Sequence, residues 1–166
     1  HVHEMLFGYV GGVIAGFLLT AVPNWTGRLP VTGLPLAGLV GLWVAGRVAM
    51  LLAPALPAAA AIDAAFLVVF AGVIWREVLA GRNWRNLPVA VMVTLLALAN
   101  LAFHGRVLLP DLGPLAERGA VGMIAMLIAF IGGRVVPSFT RNWLVQVGRT
   151  PLPASTDRVD TAGVVM

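Results

Sequence analysis

The chain has 166 residues, of which 60% are hydrophobic and only 11% charged, with a mean hydropathy of +0.94. Because a soluble domain carries about 25% charged residues, this composition excludes an ordinary soluble protein and predicts an integral membrane protein. The absence of cysteine excludes disulfides, thiolate ligands and cysteine nucleophiles. The net charge of +4 does not indicate binding to nucleic acid, because the arginines flank the predicted membrane spans.

Five long apolar runs predict membrane-spanning helices, so the expected fold class is all-α, a polytopic transmembrane helical bundle. Crossing a bilayer takes about 20 mostly apolar residues. In chain order the predicted spans cover residues 5–22, 34–53, 58–74, 87–103 and 119–136. Proline is expected to end the first and fifth spans, at Pro23 and Pro137. The third span is expected to close at Trp75, Arg76 and Glu77.

The distribution of arginine predicts which ends of the spans face the cytoplasm. Eight of the 11 basic residues fall on the face opposite the N-terminus, and only Arg106 and Arg118 fall on the N-terminal face. Because cytoplasmic loops are enriched in positive charge, the N-terminal face is predicted to be periplasmic in a bacterial inner membrane. The arginine-rich side also carries the tryptophans that typically mark a membrane interface, namely Trp25, Trp75, Trp84 and Trp143.

The two ends of the chain predict that it is part of a longer protein. The first residue is histidine, no signal-peptide pattern is present, and residues 151–166 are polar. We therefore divide the chain into a transmembrane domain, 1–150, and a polar cytoplasmic tail or linker between repeats, 151–166.

The three histidines all emerge at the predicted periplasmic face when the spans are folded up and down. Neutral imidazole is the commonest protein metal ligand, so His1, His3 and His104 predict a metal or haem site. The alternative is three solvated interfacial histidines. On a helix, residues two apart point to nearly opposite sides, so His1 and His3 share one centre only if the helix begins after His3. Glu4 is either a partner that orients an imidazole or a solvated carboxylate.

Two charged residues lie inside predicted spans. Arg47 in the second span and Asp63 in the third lie at similar depth on either side of a short turn. An unpaired charge inside a membrane costs roughly 3 kcal/mol or more, which predicts an ion pair between them. The functional alternative is that Arg47 faces an anionic group such as a haem propionate.

A few further residues near the periplasmic face are weaker candidates. Met123 and Met126 offer thioethers that suit copper(I), although packing in the core is the simpler interpretation. Tyr9 and Asn100 are expected to form hydrogen bonds between helices.

Several stretches of this chain match the sequence pattern of one known family. They read HVHEMLFGY at 1–9, IAGFLLTAV at 14–22, NWTG at 24–27, LWVAGR at 42–47 and IGGRVVPSFT at 131–140. Together they resemble the NnrS family of bacterial membrane proteins. The resemblance covers essentially the whole chain, but only about half of the family's length, and it is weakest through the third and fourth spans.

The resemblance implies a protein of about twelve helices that binds haem and copper and takes part in the nitric oxide response of denitrifying bacteria. Family members protect against nitrosative stress, without an established catalytic turnover, so the resemblance leaves enzymatic activity undecided. The histidines of the family's His-x-His-Glu-Met stretch match His1 and His3 here. The missing C-terminal half is a predicted partner of this one, together with the lipid bilayer and nitric oxide.

The sequence therefore predicts a membrane protein that binds haem, and with less support copper, through His1, His3 and His104. Glu4, Arg47, Asp63, Met123 and Met126 are expected around these ligands. The rival prediction is part of a permease with an Arg47–Asp63 gate and no cofactor.

Overall fold

The structure is a computed structural model that describes residues 1–149, and these residues contain helices and no strand. A π-helical turn, Glu4–Tyr9, leads into α1, Val10–Thr26, which is followed by α2, Leu34–Leu52, and α3, Pro57–Ala80. A 3-10 turn, Trp84–Asn86, leads into α4, Leu87–Gly105, and α5 covers Leu112–Gln146. Over this part of the chain, five helices are long and apolar enough to cross a membrane. The all-α class with five spans is confirmed, whereas the predicted tail at 151–166 lies outside the described residues.

Proline and glycine set several helix ends. Pro35, Pro57 and Pro88 stand in the first turns of α2, α3 and α4, where the N–H that proline lacks would have no helical partner. α1 ends at Gly27, whose φ of 69° is left-handed and favours glycine.

Three helices continue past the ends predicted for them. α1 runs through Pro23 and α5 through Pro137, and α3 continues past Glu77 to Ala80. The predictions that these residues end helices were therefore wrong. Proline's fixed φ is compatible with a helix, and membrane helices tolerate the hydrogen bond that it removes. Charged residues at the interface likewise extend a helix beyond its apolar run.

The chain divides into two compact units, His1–Met123 and the residues from Ile124 onward. In the first unit α3 packs against α1, α2 and α4, and Leu18, Phe70 and Val93 are completely buried. In the second unit the remainder of α5 carries Arg134, whose guanidinium lies 4.1 Å from the centre of the Phe130 ring.

A buried carboxylate at the predicted cytoplasmic ends of the helices ties the segment after α1 to α3. Glu77 accepts a 2.6 Å hydrogen bond from Arg28 Nε and a 2.7 Å bond from Arg76 Nη2. Asn83 also donates to the carbonyl of Trp25. These contacts hold the segment after α1 at the end of α3, away from the histidines.

Candidate metal centre

The centre is built around Asp63, in the second turn of α3, whose side chain is completely buried. A short turn separates α2 from α3, so the end of α2 returns beside the start of α3. Gly46 allows close approach there, since a Cβ on Gly46 would lie only 3.1 Å from Asp63 Cα. That approach brings the next residue, Arg47, into contact with the carboxylate.

Two histidines converge on the same oxygen of Asp63. His3 Nε2 lies 3.0 Å and His104 Nε2 lies 2.8 Å from Asp63 Oδ2. His3 is buried just before the first span, and His104 lies in the last turn of α4. The ligand atoms of His3, Asp63 and His104 all lie within 4.8 Å of one another. We call these three residues the His–Asp cluster.

Asn100 lies one turn before His104 on α4 and completes the surroundings of Asp63. Its Nδ2 donates a 3.1 Å hydrogen bond to Asp63 Oδ2, and its Oδ1 lies 3.1 Å from His3 Nε2. The expectation that Asn100 bonds between helices is therefore met, and the bond falls at the centre of the site.

Oxygen atoms face both nitrogens of the His3 ring. Nε2 lies against Asp63 and Asn100, while Nδ1 lies 3.2 Å from Glu4 Oε1. Burial lowers the pKa of His3, against the opposing effect of its hydrogen bonds to Asn100 and Glu4. Both nitrogens can donate to these oxygens only if the ring is protonated. A neutral imidazole has one N–H, and a cation between Nε2 and Asp63 Oδ2 would then take the place of the missing proton.

Arg47 links the two carboxylates of the site. It forms an ion pair with Asp63 and donates a 2.6 Å hydrogen bond from Nη1 to Glu4 Oε2. The structure thus pairs Arg47 with Asp63 as the sequence analysis expected, and the anions that it meets are protein carboxylates. Gly8 makes room for this contact, because a Cβ there would collide with Arg47 Nη1.

Two phenylalanine rings pack against the His3 ring. The His3 ring lies 5.4 Å from the Phe7 ring and 4.9 Å from the Phe103 ring, and these two phenylalanines contact each other at 5.7 Å. Both are buried. The polar group is therefore bounded by an apolar wall that limits water on one side.

The structure brings together some of the predicted site residues and separates others. His3 and His104 meet with Asp63, Glu4 and Arg47, whereas His1 is exposed and is not part of the cluster. Met123 is half-buried and Met126 is 47% exposed. The sequence analysis treated Asp63 as a partner of Arg47 and did not place it between the two histidines. The predicted spans already put Asp63 and both histidines toward the same membrane face, which was the available signal.

The cluster has the donor set and the spacing of a metal site. Ligand atoms held 2.0–2.2 Å from a zinc or copper ion lie about 3–3.5 Å from each other, close to the separations of Asp63 Oδ2 from the two imidazoles. A cation bound at His3 Nε2 would leave Nδ1–H to donate to Glu4, as ligating histidines commonly do to a carboxylate. The residues present therefore fit a metal ion.

The fold and the cluster define a polytopic helical membrane protein with a group of two histidines and an aspartate at one end of its helices. The family model described as NnrS protein matches residues 1–166, and the chain belongs to the NnrS family. Membership makes it, at the level of the family, a membrane protein related to the nitric oxide response, in a family known for metal and haem binding. No curated protein and no solved structure matches the chain significantly.

Proposed function

We propose that this protein binds copper and haem in the bacterial inner membrane and takes part in tolerance of nitric oxide. The observation that carries the proposal is the His–Asp cluster, where oxygen atoms face both nitrogens of His3. Family membership supports the same assignment. The excess of arginine on the opposite face supports placing the cluster near the periplasm.

In this proposal His3, His104 and Asp63 hold the copper ion. Two imidazoles and a carboxylate suit divalent copper, iron or zinc better than soft copper(I), because no thiolate or thioether is among them. Copper held by these residues would supply redox chemistry for a small molecule such as nitric oxide. Glu4 and Asn100 orient the ligands, Arg47 balances the carboxylate charge, and the phenylalanines limit water.

The test measures metal in the purified full-length protein. We expect copper per protein to fall at least tenfold in His3→Ala and His104→Ala, while His1→Ala, a histidine outside the cluster, keeps the wild-type content. Nitric oxide should change the electron paramagnetic resonance signal of the wild type and not that of the two depleted variants. Unchanged copper in both cluster variants would refute the copper assignment.

The permease prediction keeps one supporting observation, the buried Arg47–Asp63 pair. A colourless, metal-free protein that carries solute flux in vesicles would favour it.

A further inference from the structure

A second candidate site lies beside the His–Asp cluster, in an open groove of about 590 Å³. One wall is the start of the first span, and the other is the beginning of α5. Seven residues line it: His1, Val2, Met5, Leu6, Glu117, Arg118 and Val121. The volume falls in the range of about 300–1,000 Å³ that cofactor sites occupy.

The first helical turn separates this groove from the His–Asp cluster. The N–H of Met5 donates a 3.0 Å hydrogen bond to the carbonyl of His1, so His1 and Met5 lie on one side of a helical turn. His3 lies on the other side and faces Asp63. His1 therefore lines the groove, whereas His3 belongs to the His–Asp cluster.

The groove combines apolar walls with polar groups that have no partner in the described chain. Val2 and Val121 are about half exposed, at 50% and 55%. Over residues 1–149, no hydrogen bond or ion pair engages the side chains of His1, Glu117 or Arg118. The imidazole of His1 and the guanidinium of Arg118, among the apolar residues that line the groove, are complementary to a flat apolar ligand that carries a metal and an anionic edge.

We propose that this groove binds the haem, with His1 as the residue that would ligate the iron and Arg118 as the residue that would pair with a propionate. Val2, Leu6 and Val121 provide apolar contacts to the ring. The Arg118 guanidinium can donate two parallel hydrogen bonds to a propionate carboxylate. This assignment deepens the proposed function and depends on its haem component. Haem and copper then occupy separate sites, which His1 and His3 divide between them.

The test uses the full-length protein, reconstituted with ferric protoporphyrin IX and followed by Soret absorbance. We expect His1→Ala to lose at least nine-tenths of the Soret band and to keep its copper. Added imidazole should restore the band in His1→Ala, because it can supply the missing ligand, which would not happen if the variant were misfolded.

Arg118 is tested by changing the charge on the ligand. Arg118→Gln should weaken binding of ferric protoporphyrin IX about tenfold or more, since a hydrogen bond between charged groups is lost. The same variant should bind the dimethyl ester of that porphyrin as well as the wild type does. Equal weakening for both ligands would refute the pairing with a propionate.

The outcomes separate this inference from the proposed function. A wild-type protein that takes up haem while His1→Ala takes up as much overturns the groove assignment alone. A wild-type protein that takes up no haem overturns both this inference and the haem part of the proposed function. Copper that persists in both His3→Ala and His104→Ala overturns the copper assignment and leaves the groove unaffected.

Discussion

At the scale of single residues, Asp63 connects three separate parts of the first unit. It contacts Arg47 on α2, His3 before the first span, and both Asn100 and His104 on α4. Removing it leaves Arg47 beside one remaining carboxylate, Glu4, whose side chain is 47% exposed. The stability of the helix bundle should therefore depend on this residue.

We expect Asp63→Ala to lower the free energy of unfolding by about 3–5 kcal/mol, because it leaves a buried charge without its main partner. Denaturant unfolding in detergent measures the change. The control is Asp111→Asn, at an exposed carboxylate just before α5, which should stay within about 0.5 kcal/mol because asparagine caps a helix as well as aspartate does. An Asp63→Ala protein as stable as the wild type would mean that the pair contributes nothing. Exchanging Arg47 and Asp63 should recover little, since the new guanidinium would face His3 and His104.

Glu4 should control metal affinity through His3. Glu4→Ala removes the oxygen facing His3 Nδ1, and loss of such an orienting partner typically weakens metal binding 10–100-fold. Glu4→Gln keeps an acceptor oxygen, so the smaller end of that range is expected. Competition with a copper chelator measures the affinity, and Asp111→Asn is the matched control. Equal affinity in Glu4→Ala and the wild type would show that Glu4 does not act on the metal.

Sequence reasoning anticipated the convergence of His3 and His104 because loop order and span length place both at one membrane face. It did not separate His1 from His3, because that depends on which residue begins the first helical turn. Glu77 was noted only as part of a helix end, because a carboxylate beside arginines at a membrane interface is expected to be exposed to solvent. Its burial depends on the packing of the segment after α1.

At the scale of helices, Gly8 decides how closely the π-helical turn before α1 approaches Arg47 of α2. A Cβ on Gly8 would collide with Arg47, whereas a Cβ on Gly16, two turns further along in α1, would meet nothing within 4 Å. Trp43 Nε1 donates a 3.0 Å hydrogen bond to the Gly8 carbonyl. The backbone at Gly8 is thus held by α2 at the point where Arg47 passes.

We expect Gly8→Ala to destabilise the protein by about 1–3 kcal/mol, the usual cost of overpacking. It should also weaken copper binding, because Arg47 must move away from Glu4 and Asp63. Thermal unfolding and copper content measure the two effects, with Gly16→Ala in α1 as the control. If Gly8→Ala and Gly16→Ala have the same unfolding temperature and copper content, the close contact of Gly8 with Arg47 does not contribute to stability or to copper binding.

The positions of the helices were largely predictable from hydropathy, and their ends were not. Apolar runs identify the segment that needs a membrane or a protein core. Apolar runs do not show how far a helix continues into the membrane interface. α3, for example, continues from Glu77 to Ala80. Proline gave a misleading signal at Pro23 and Pro137, since a helix with other contacts accommodates it.

At the scale of the whole molecule, the arrangement of arginine makes the topology testable. Arg85 lies in the 3-10 turn before α4, and Asp111 lies just before α5, so insertions at either point interrupt no long helix. A reporter fused after Arg85 should read cytoplasmic, and one fused at Asp111 should read periplasmic. The reverse pattern would move the His–Asp cluster to the cytoplasmic face.

The contact between Arg47 and Asp63 also bears on how the protein enters the membrane during synthesis. A lone charge in a spanning helix costs up to about 2.5–3.5 kcal/mol in translocon-mediated insertion, the upper value applying at the helix centre. Only the turn between Leu52 and Pro57 separates α2 from α3, so the two helices can leave the translocon together as a hairpin in which the charges already neutralise each other. His104 is made about forty residues after Asp63. We therefore expect the α2–α3 hairpin to insert first and the binding site to be completed afterwards, when α4 arrives.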